Sequence, residues 1–199
     1  MSSQPHPWRL AQPARGAADR GAQKPRPVLS AARADPMHEI EILDQYGERR
    51  TIHIPLERPL TVYVDRREVV TLMTLGARPE LLVLGYLLNQ GLVEDMQTLA
   101  SIQVDWDVSA AAVVTRAGGL DLEARTAHRV VTTGCGQGTV YGELLSHLEG
   151  LQLPPAAQAR ISQSTLRTLL EVIRAQDSIH HQAGSVHGCA LFRGAELLA

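Results

Sequence analysis

Cysteine, lysine and aromatic residues are scarce in this sequence. Its 199 residues include two cysteines, one lysine (Lys24) and one phenylalanine, and 4% of them are aromatic. So few cysteines exclude a disulfide framework as the basis of the fold. No apolar run approaches the roughly 20 residues that are needed to span a bilayer, and the N-terminus carries no apolar segment of the kind found in secretory signals. We therefore expect a cytoplasmic protein with reduced thiols and no membrane segment.

The sequence also lacks a strong excess of charge of either sign. Its formal net charge is -2, which argues against the basic surface that nucleic-acid-binding proteins present. With 44% hydrophobic residues, a chain of this length can form one globular domain with a substantial core.

The first 37 residues differ in composition from the rest. They hold six of the eleven prolines, six basic residues and few large apolar side chains. A segment of this composition buries too little surface to offset the entropy of ordering it. The sequence therefore predicts a disordered Pro/Arg-rich tail over residues 1–37, followed by one folded domain over residues 38–199.

Beyond residue 40, strand and helix patterns alternate, which predicts a mixed α/β domain whose N-terminal part is rich in β-strands. A hairpin is expected where strands at 60–64 and 69–73 flank a turn at 65–67. Pro79 should open a helix that ends at Gly91, and because this helix is apolar nearly all round, we expect it in the interior. Further strands are predicted at 102–106, 110–115 and 123–132, and further helices at 140–148 and 164–175.

A glycine-rich stretch around the first cysteine carries the strongest chemical signal. In Thr133-Gly134-Cys135-Gly136-Gln137-Gly138, no bulky neighbour shields the thiol. The stretch runs from a predicted strand into the predicted helix at 140–148, so Cys135 would lie near a helix N-terminus, where the helix dipole stabilises a thiolate. A thiolate suits nucleophilic or sulfur-transfer chemistry. The same stretch is also compatible with a tight turn around an inert cysteine, or with a loop whose backbone N–H groups bind phosphate.

A second segment, residues 180–189, gathers three histidines and the other cysteine. His187 is a candidate acid/base partner or hydrogen-bond donor for Cys135. A zinc site formed by His181, His187, Cys189 and Cys135 is an alternative, but the sequence has no C-x-x-C pair and no H-x-E, so we expect no metal there. Because Cys189 begins an apolar run, it is predicted to be a buried, inert thiol.

Four segments of the chain match, in order, the motifs of a known family. They are the predicted hairpin at 59–73, the helical segment at 80–92, the cysteine segment at 133–138, and Ala183-Gly184-Ser185-Val186-His187-Gly188-Cys189-Ala190-Leu191, which is similar to the motif TGG-x-H-x-A-A-L. Over residues 40–199, the chain therefore resembles the formate dehydrogenase accessory sulfurtransferases, the FdhD family.

The resemblance implies a cytidine-deaminase-like mixed α/β fold without the zinc of the deaminases. It also implies a sulfur carrier: a cysteine desulfurase loads a persulfide on Cys135, and the sulfur passes to the molybdenum cofactor, bis(molybdopterin guanine dinucleotide), before insertion into formate dehydrogenase. The family is described as homodimers that bind the cofactor through its guanine nucleotide. By this resemblance, the expected cofactor-binding residues are Gly134, Gly136, Gly138, Gly184 and His187.

Two departures from the family pattern bear on these expectations. The family's loop is commonly C-G-x-C, and Gly138 stands at the second cysteine position, so no local relay between two thiols is expected. The sequence also ends at Ala199, where the family continues with an acidic segment, so the C-terminal part of the domain is expected to be missing. A cofactor- or nucleotide-binding chaperone without covalent chemistry is the alternative function, and a zinc hydrolase or deaminase is a third.

Overall fold

The structure is a computed structural model, which describes residues 25–116, 129–132, 138–141 and 151–199. The chain divides into two compact units. We call them the sheet unit, which contains the described residues of 21–36 and 56–152, and the hairpin unit, which contains residues 37–55 and 153–199. The sequence predicts one domain over residues 38–199, whereas these residues are divided between the two units.

Eleven strands and three α-helices are present in the described residues. In chain order, the strands are β1 (Val28–Leu29), β2 (Met37–Leu43), β3 (Arg49–Pro55), β4 (Arg58–Val64), β5 (Arg67–Thr74), β6 (Leu99–Asp105), β7 (Ala110–Thr115), β8 (Arg129–Thr132), β9 (Gly138–Tyr141), β10 (Phe192–Arg193) and β11 (Glu196–Leu197). The helices are α1 (Pro79–Asn89), α2 (Gln163–Arg174) and α3 (Ile179–Ala183). A short 3₁₀-helix, Met96–Thr98, precedes β6.

The sheet unit is built on a five-stranded sheet with the order β1-β6-β7-β4-β5. The pairs β1–β6 and β4–β7 are parallel, whereas β6–β7 and β4–β5 are antiparallel. A mixed sheet with a helix between β5 and β6 confirms the predicted mixed α/β class. The strands predicted at 102–106 and 110–115 are confirmed as β6 and β7.

One face of this sheet forms the core. In β4, the side chains of Leu60, Val62 and Val64 are fully buried, and alternate residues of a strand point to opposite faces. The register pairs Leu60 with Leu72 and Val62 with Val70, so apolar residues of neighbouring strands meet on the same face. Helix α1 covers this face and contributes two further core residues, Val83 and Leu87.

Helix α1 begins and ends as predicted but is not buried all round. Pro79 is its first residue, and Gly91 follows its end with a φ of 67° that favours glycine. Leu81, Leu82 and Leu88 are 47%, 39% and 37% exposed. The prediction of an interior helix is therefore wrong, because only one side of the helix faces the sheet.

The predicted hairpin is confirmed as β4 and β5, with a turn of two residues rather than three. Val64 pairs with Arg67, and the turn residues Asp65 and Arg66 have φ values of 46° and 73°. This backbone is unfavourable for residues other than glycine, although aspartate tolerates it better than most. The Asp65 carboxylate compensates, since it accepts hydrogen bonds from the Thr115 N–H (2.9 Å) and hydroxyl (2.6 Å).

The described end of the predicted disordered tail is ordered and belongs to the sheet unit. Strand β1 pairs in parallel with β6, with Val28 opposite Ser101 and Leu29 opposite Ile102. The prediction of disorder is therefore wrong for residues 28–36. Hydrogen bonds hold this segment in place. A prediction of disorder that is based on a low content of apolar residues does not take such bonds into account. Residues 1–24 lie outside the described residues.

In the hairpin unit, β2 and β3 pair antiparallel over their full length, from Met37–Pro55 to Leu43–Arg49. Helix α2 confirms the prediction at 164–175, and the hydroxyl of Ser162 caps it by accepting a hydrogen bond from the Thr165 N–H. No described residue of this unit is buried. Among all the helices described, none combines the length and apolar character needed to cross a membrane.

Candidate functional site

Two short strands flank the cysteine segment. Strands β8 and β9 pair antiparallel, with Thr132 opposite Gly138 and Arg129 opposite Tyr141. Five residues, 133–137, connect them and lie outside the described residues. The predicted site residues Gly134, Cys135 and Gly136 belong to those five, whereas Gly138 is the first residue of β9.

A helix is expected at 140–148, directly after the cysteine segment, but its first two residues belong to a strand in the structure. Val140 and Tyr141 belong to β9 and pair with β8, so the prediction of a helix from residue 140 is wrong at these positions. Antiparallel strand pairing satisfies the backbone groups that a helix would have used. Because Val140 lies in a strand, the dipole of a helix starting there cannot stabilise a Cys135 thiolate.

The histidine segment is positioned by the end of helix α3. Gly184 follows this helix with φ 60° and ψ −162°, a conformation essentially restricted to glycine. A β-carbon at Gly184 would meet no atom within 4 Å, so backbone conformation rather than space requires glycine here. Ser185 follows with a φ of 52°. Two successive residues with positive φ thus turn the chain between α3 and His187.

His187 and Cys189 are both exposed. The prediction that Cys189 is buried is wrong, because the apolar run after it forms only the short antiparallel pair β10–β11, joined by a turn at Gly194. No described residue of the hairpin unit covers this pair well enough to bury it. An exposed thiol is accessible to reagents, so Cys189 must be controlled for in any experiment on Cys135.

The predicted site residues with described positions fall in different units. Gly184, His187 and Cys189 belong to the hairpin unit, and Gly138 belongs to the sheet unit. Within the described ranges, no three His, Cys, Asp or Glu residues lie close enough together to hold a metal ion. The zinc alternative of the sequence included Cys135, which is outside those ranges.

Sequence reasoning missed a buried carboxylate in the sheet unit. Glu80, the second residue of α1, is 6% exposed and accepts hydrogen bonds from the Ser30 hydroxyl and the Ala32 N–H. A single acidic residue in the first turn of an otherwise apolar helix was the available signal. An acidic side chain in the first turn also suits the helix dipole, so this position fits the helical pattern without revealing that the carboxylate is buried.

Comparison with known proteins places this geometry in context. The sequence model of the FdhD/NarQ family matches residues 55–199. This range includes α1, the cysteine segment and the histidine segment.

Curated relatives include several sulfur carrier proteins FdhD. The protein of Listeria monocytogenes is 25% identical over 145 residues, which are 73% of this chain and 56% of the relative. That of Halalkalibacterium halodurans is 28% identical over 166 residues, which are 80% of this chain and 59% of the relative. The chain thus spans less than two thirds of the length of these relatives.

A solved structure is also similar. It is a crystal structure of a protein from Desulfotalea psychrophila that is assigned as a formate dehydrogenase accessory protein. It is 18% identical, has a TM-score of 0.46, and the match covers 81% of this chain and 58% of the other.

Proposed function

Because the chain belongs to the FdhD/NarQ family, we propose that it is a sulfur carrier in the maturation of formate dehydrogenase and that Cys135 carries the sulfur. The family match over residues 55–199 carries this proposal, since it includes both Cys135 and the histidine segment. The relatives from Listeria monocytogenes and Halalkalibacterium halodurans are sulfur carrier proteins, which supports the same role here.

The proposed loading step is a thiol–persulfide exchange. The Cys135 thiolate attacks the terminal sulfur of a persulfide on a cysteine desulfurase. A sulfur–sulfur bond forms on Cys135 while the one on the desulfurase breaks, and the desulfurase cysteine leaves as a thiolate. Electrons balance within the exchange, so loading consumes no separate oxidant.

The proposed acceptor of the sulfur is the molybdenum cofactor, bis(molybdopterin guanine dinucleotide), as substrate. A thiol attacks the Sγ atom of the Cys135 persulfide and forms a mixed disulfide with it. The bond between Sγ and the terminal sulfur breaks, and the terminal sulfur leaves as sulfide for the cofactor. Gly138 stands where the family loop commonly has its second cysteine. That thiol therefore comes from outside the cysteine segment, and a second thiol then resolves the mixed disulfide.

The glycines and His187 are proposed to contact the cofactor. Glycine leaves backbone N–H groups unshielded by a side chain, which suits the phosphates of a guanine nucleotide. The exposed imidazole of His187 can donate a hydrogen bond to an anionic oxygen. The cofactor-binding set is Gly134, Gly136, Gly138, Gly184 and His187. A homodimer in the cytoplasm, with a cysteine desulfurase and formate dehydrogenase as partners, completes the proposal.

Sulfur loading tests the assignment directly. The protein is incubated with a cysteine desulfurase, free cysteine and pyridoxal phosphate, and the mass of the intact protein is measured without reductant. Cys189 is exposed and can acquire sulfur non-specifically. Four proteins are therefore measured side by side: wild type, Cys135→Ala, Cys189→Ala and the double variant.

We expect an added mass of one sulfur atom on the wild type and on Cys189→Ala, and its loss from Cys135→Ala. Equal loading of Cys135→Ala and wild type would overturn Cys135 as the carrier. If sulfur is absent from both the wild type and Cys189→Ala while the protein still binds guanine nucleotide, the chaperone without covalent chemistry becomes the better assignment.

A further inference from the structure

Residues 26–36, which we call the strap, lie along the β6 edge of the sheet unit. The Ser30 N–H donates to the Ile102 carbonyl (3.0 Å), and the Val104 N–H donates to the Ser30 hydroxyl oxygen (2.9 Å). Ser30 thus satisfies the hydrogen-bonding capacity of two backbone groups of β6, the Ile102 carbonyl and the Val104 N–H. The family match begins at residue 55, so the strap lies outside it.

Glu80 holds the strap to helix α1. Its Oε1 atom accepts from the Ser30 hydroxyl (2.6 Å) and the Ala32 N–H (2.9 Å). Both donors belong to the strap, and the side chain of Glu80 is almost fully buried. Burial of a carboxylate is costly unless hydrogen bonds compensate for lost hydration, so this carboxylate and the strap depend on each other.

The C-terminal half of the strap is held by different elements. The Trp106 indole N–H donates to the Ala32 carbonyl (2.6 Å), and the Ala34 N–H donates to the Gly76 carbonyl (2.9 Å). Gly76 has a φ of 78°, and a β-carbon there would lie 2.9 Å from that of Ala34. Close approach of the strap therefore requires glycine at this position.

The strap's strand β1 contributes no side chain to the hydrophobic core. Val28 is 67% exposed and Leu29 is 37% exposed, whereas further along the strap Ala32 packs against the core and Pro36 is buried. Hydrogen bonds rather than apolar burial therefore attach the β1 part of the strap. Segments attached in this way open locally at a lower free-energy cost than the core that supports them.

We propose that the strap opens and closes on the β6 edge without unfolding the sheet, with Glu80 as its latch. Opening leaves backbone groups of β6 without their strap partners. It also removes Val28, Leu29 and Ser30 from the lining of a groove of about 600 Å³, to which residues of β6, β7 and the turn between them also contribute. The groove is thus complete only while the strap is closed.

Hydrogen–deuterium exchange of the full chain, resolved by residue, tests the latch. The Ala34 amide is the reporter because it bonds to Gly76 and not to Glu80. Breaking hydrogen bonds to a charged acceptor should open the strap at least about tenfold more often. We therefore expect Glu80→Ala to speed exchange at Ala34 by about that factor, with amides of β4 and β7 unchanged. Glu57→Ala, which removes an exposed carboxylate, is the matched control and should change neither.

The possible results separate a latch from a local contact. Faster exchange at Ala32 alone, with Ala34 unchanged, would show that Glu80 is a local acceptor and would overturn the proposal. Equal acceleration in the strap and in β4 and β7 would also overturn it, because the strap would then open only with the sheet. If Glu80→Ala fails to fold, Glu80→Gln decides by the same criteria, since it keeps an oxygen acceptor of the same size and removes only the charge that strengthens the two hydrogen bonds. Its expected acceleration at Ala34 is several-fold.

Discussion

The sheet unit and the hairpin unit differ in the interactions that stabilise their folded structure. The residues of the hydrophobic core, from Leu60 to Val113, all belong to the sheet unit, and no described residue of the hairpin unit is buried. Both units carry amphipathic patterns. In the sheet unit, strand register aligns apolar faces and α1 covers them, whereas in the hairpin unit the apolar face of α2 remains exposed at Leu166, Leu170 and Ile173. An apolar pattern produces a core only where a second layer is present to cover it.

Local interactions take the place of a core in the hairpin unit. The hydroxyls of Ser162 and Ser178 cap α2 and α3, and the backbone of Gly184 ends α3. The Asp44 carboxylate accepts from the N–H groups of Tyr46 and Glu48 and so closes the turn between β2 and β3. The histidine segment, with its proposed cofactor contacts at Gly184 and His187, is therefore positioned by caps and turns, so it should respond to changes in backbone conformation.

The largest expected effect sharpens the contrast between the units. Leu60→Ala removes a fully buried side chain in β4 and should lower the free energy of unfolding by about 2–5 kcal/mol. Leu166→Ala, the matched change on the exposed face of α2, should cost less than about 1 kcal/mol. Urea denaturation followed by circular dichroism measures both. Similar costs for the two variants would show that α2 is buried in solution.

Gly184→Ala should have the next largest effect. The φ and ψ of Gly184 lie in a region essentially closed to other residues, which makes the substitution cost about 1–3 kcal/mol. Gly188→Ala is the control, because Gly188 lies in the same segment, has no positive φ and faces open space. The amide exchange of α3 and sulfur loading by the desulfurase are measured for both. An unchanged Gly184→Ala protein would mean that the turn after α3 relaxes without cost.

Regular elements could be predicted from the sequence, but long-range polar contacts could not. Alternation identified β4 and β5, and the pattern beginning at Pro79 identified α1, because both signals are local. The strap was missed since its order depends on Glu80, Trp106 and Gly76, which are far from it in sequence. Burial was mispredicted for α1 and for Cys189, because a side chain's own apolarity does not reveal what covers it.

A smaller effect is expected at the cap of α2. Ser162→Ala removes the hydroxyl that accepts from the Thr165 N–H at 3.0 Å and should cost about 1 kcal/mol of helix stability. Arg167→Ala, an exposed position inside the same helix, should cost less, because alanine has the higher helix propensity. Exchange of the Thr165 amide reports the difference. A larger loss for Arg167→Ala would show that the cap does not limit the stability of α2.

The smallest expected change in stability concerns the apolar face of α2 and tests whether it is uncovered in solution. Leu170 is 42% exposed, so Leu170→Gln, which keeps helix propensity nearly constant, should change the free energy of unfolding by less than about 0.5 kcal/mol. Exposed apolar surface promotes association. We therefore expect wild-type protein to self-associate as its concentration rises and Leu170→Gln to do so less, as measured by sedimentation velocity. Arg167→Gln is the control on the same helix and should not reduce association. A loss of more than about 1.5 kcal/mol for Leu170→Gln would show instead that another part of the protein covers this face. Both units would then bury their apolar faces, and they would differ only in which part of the protein covers each face.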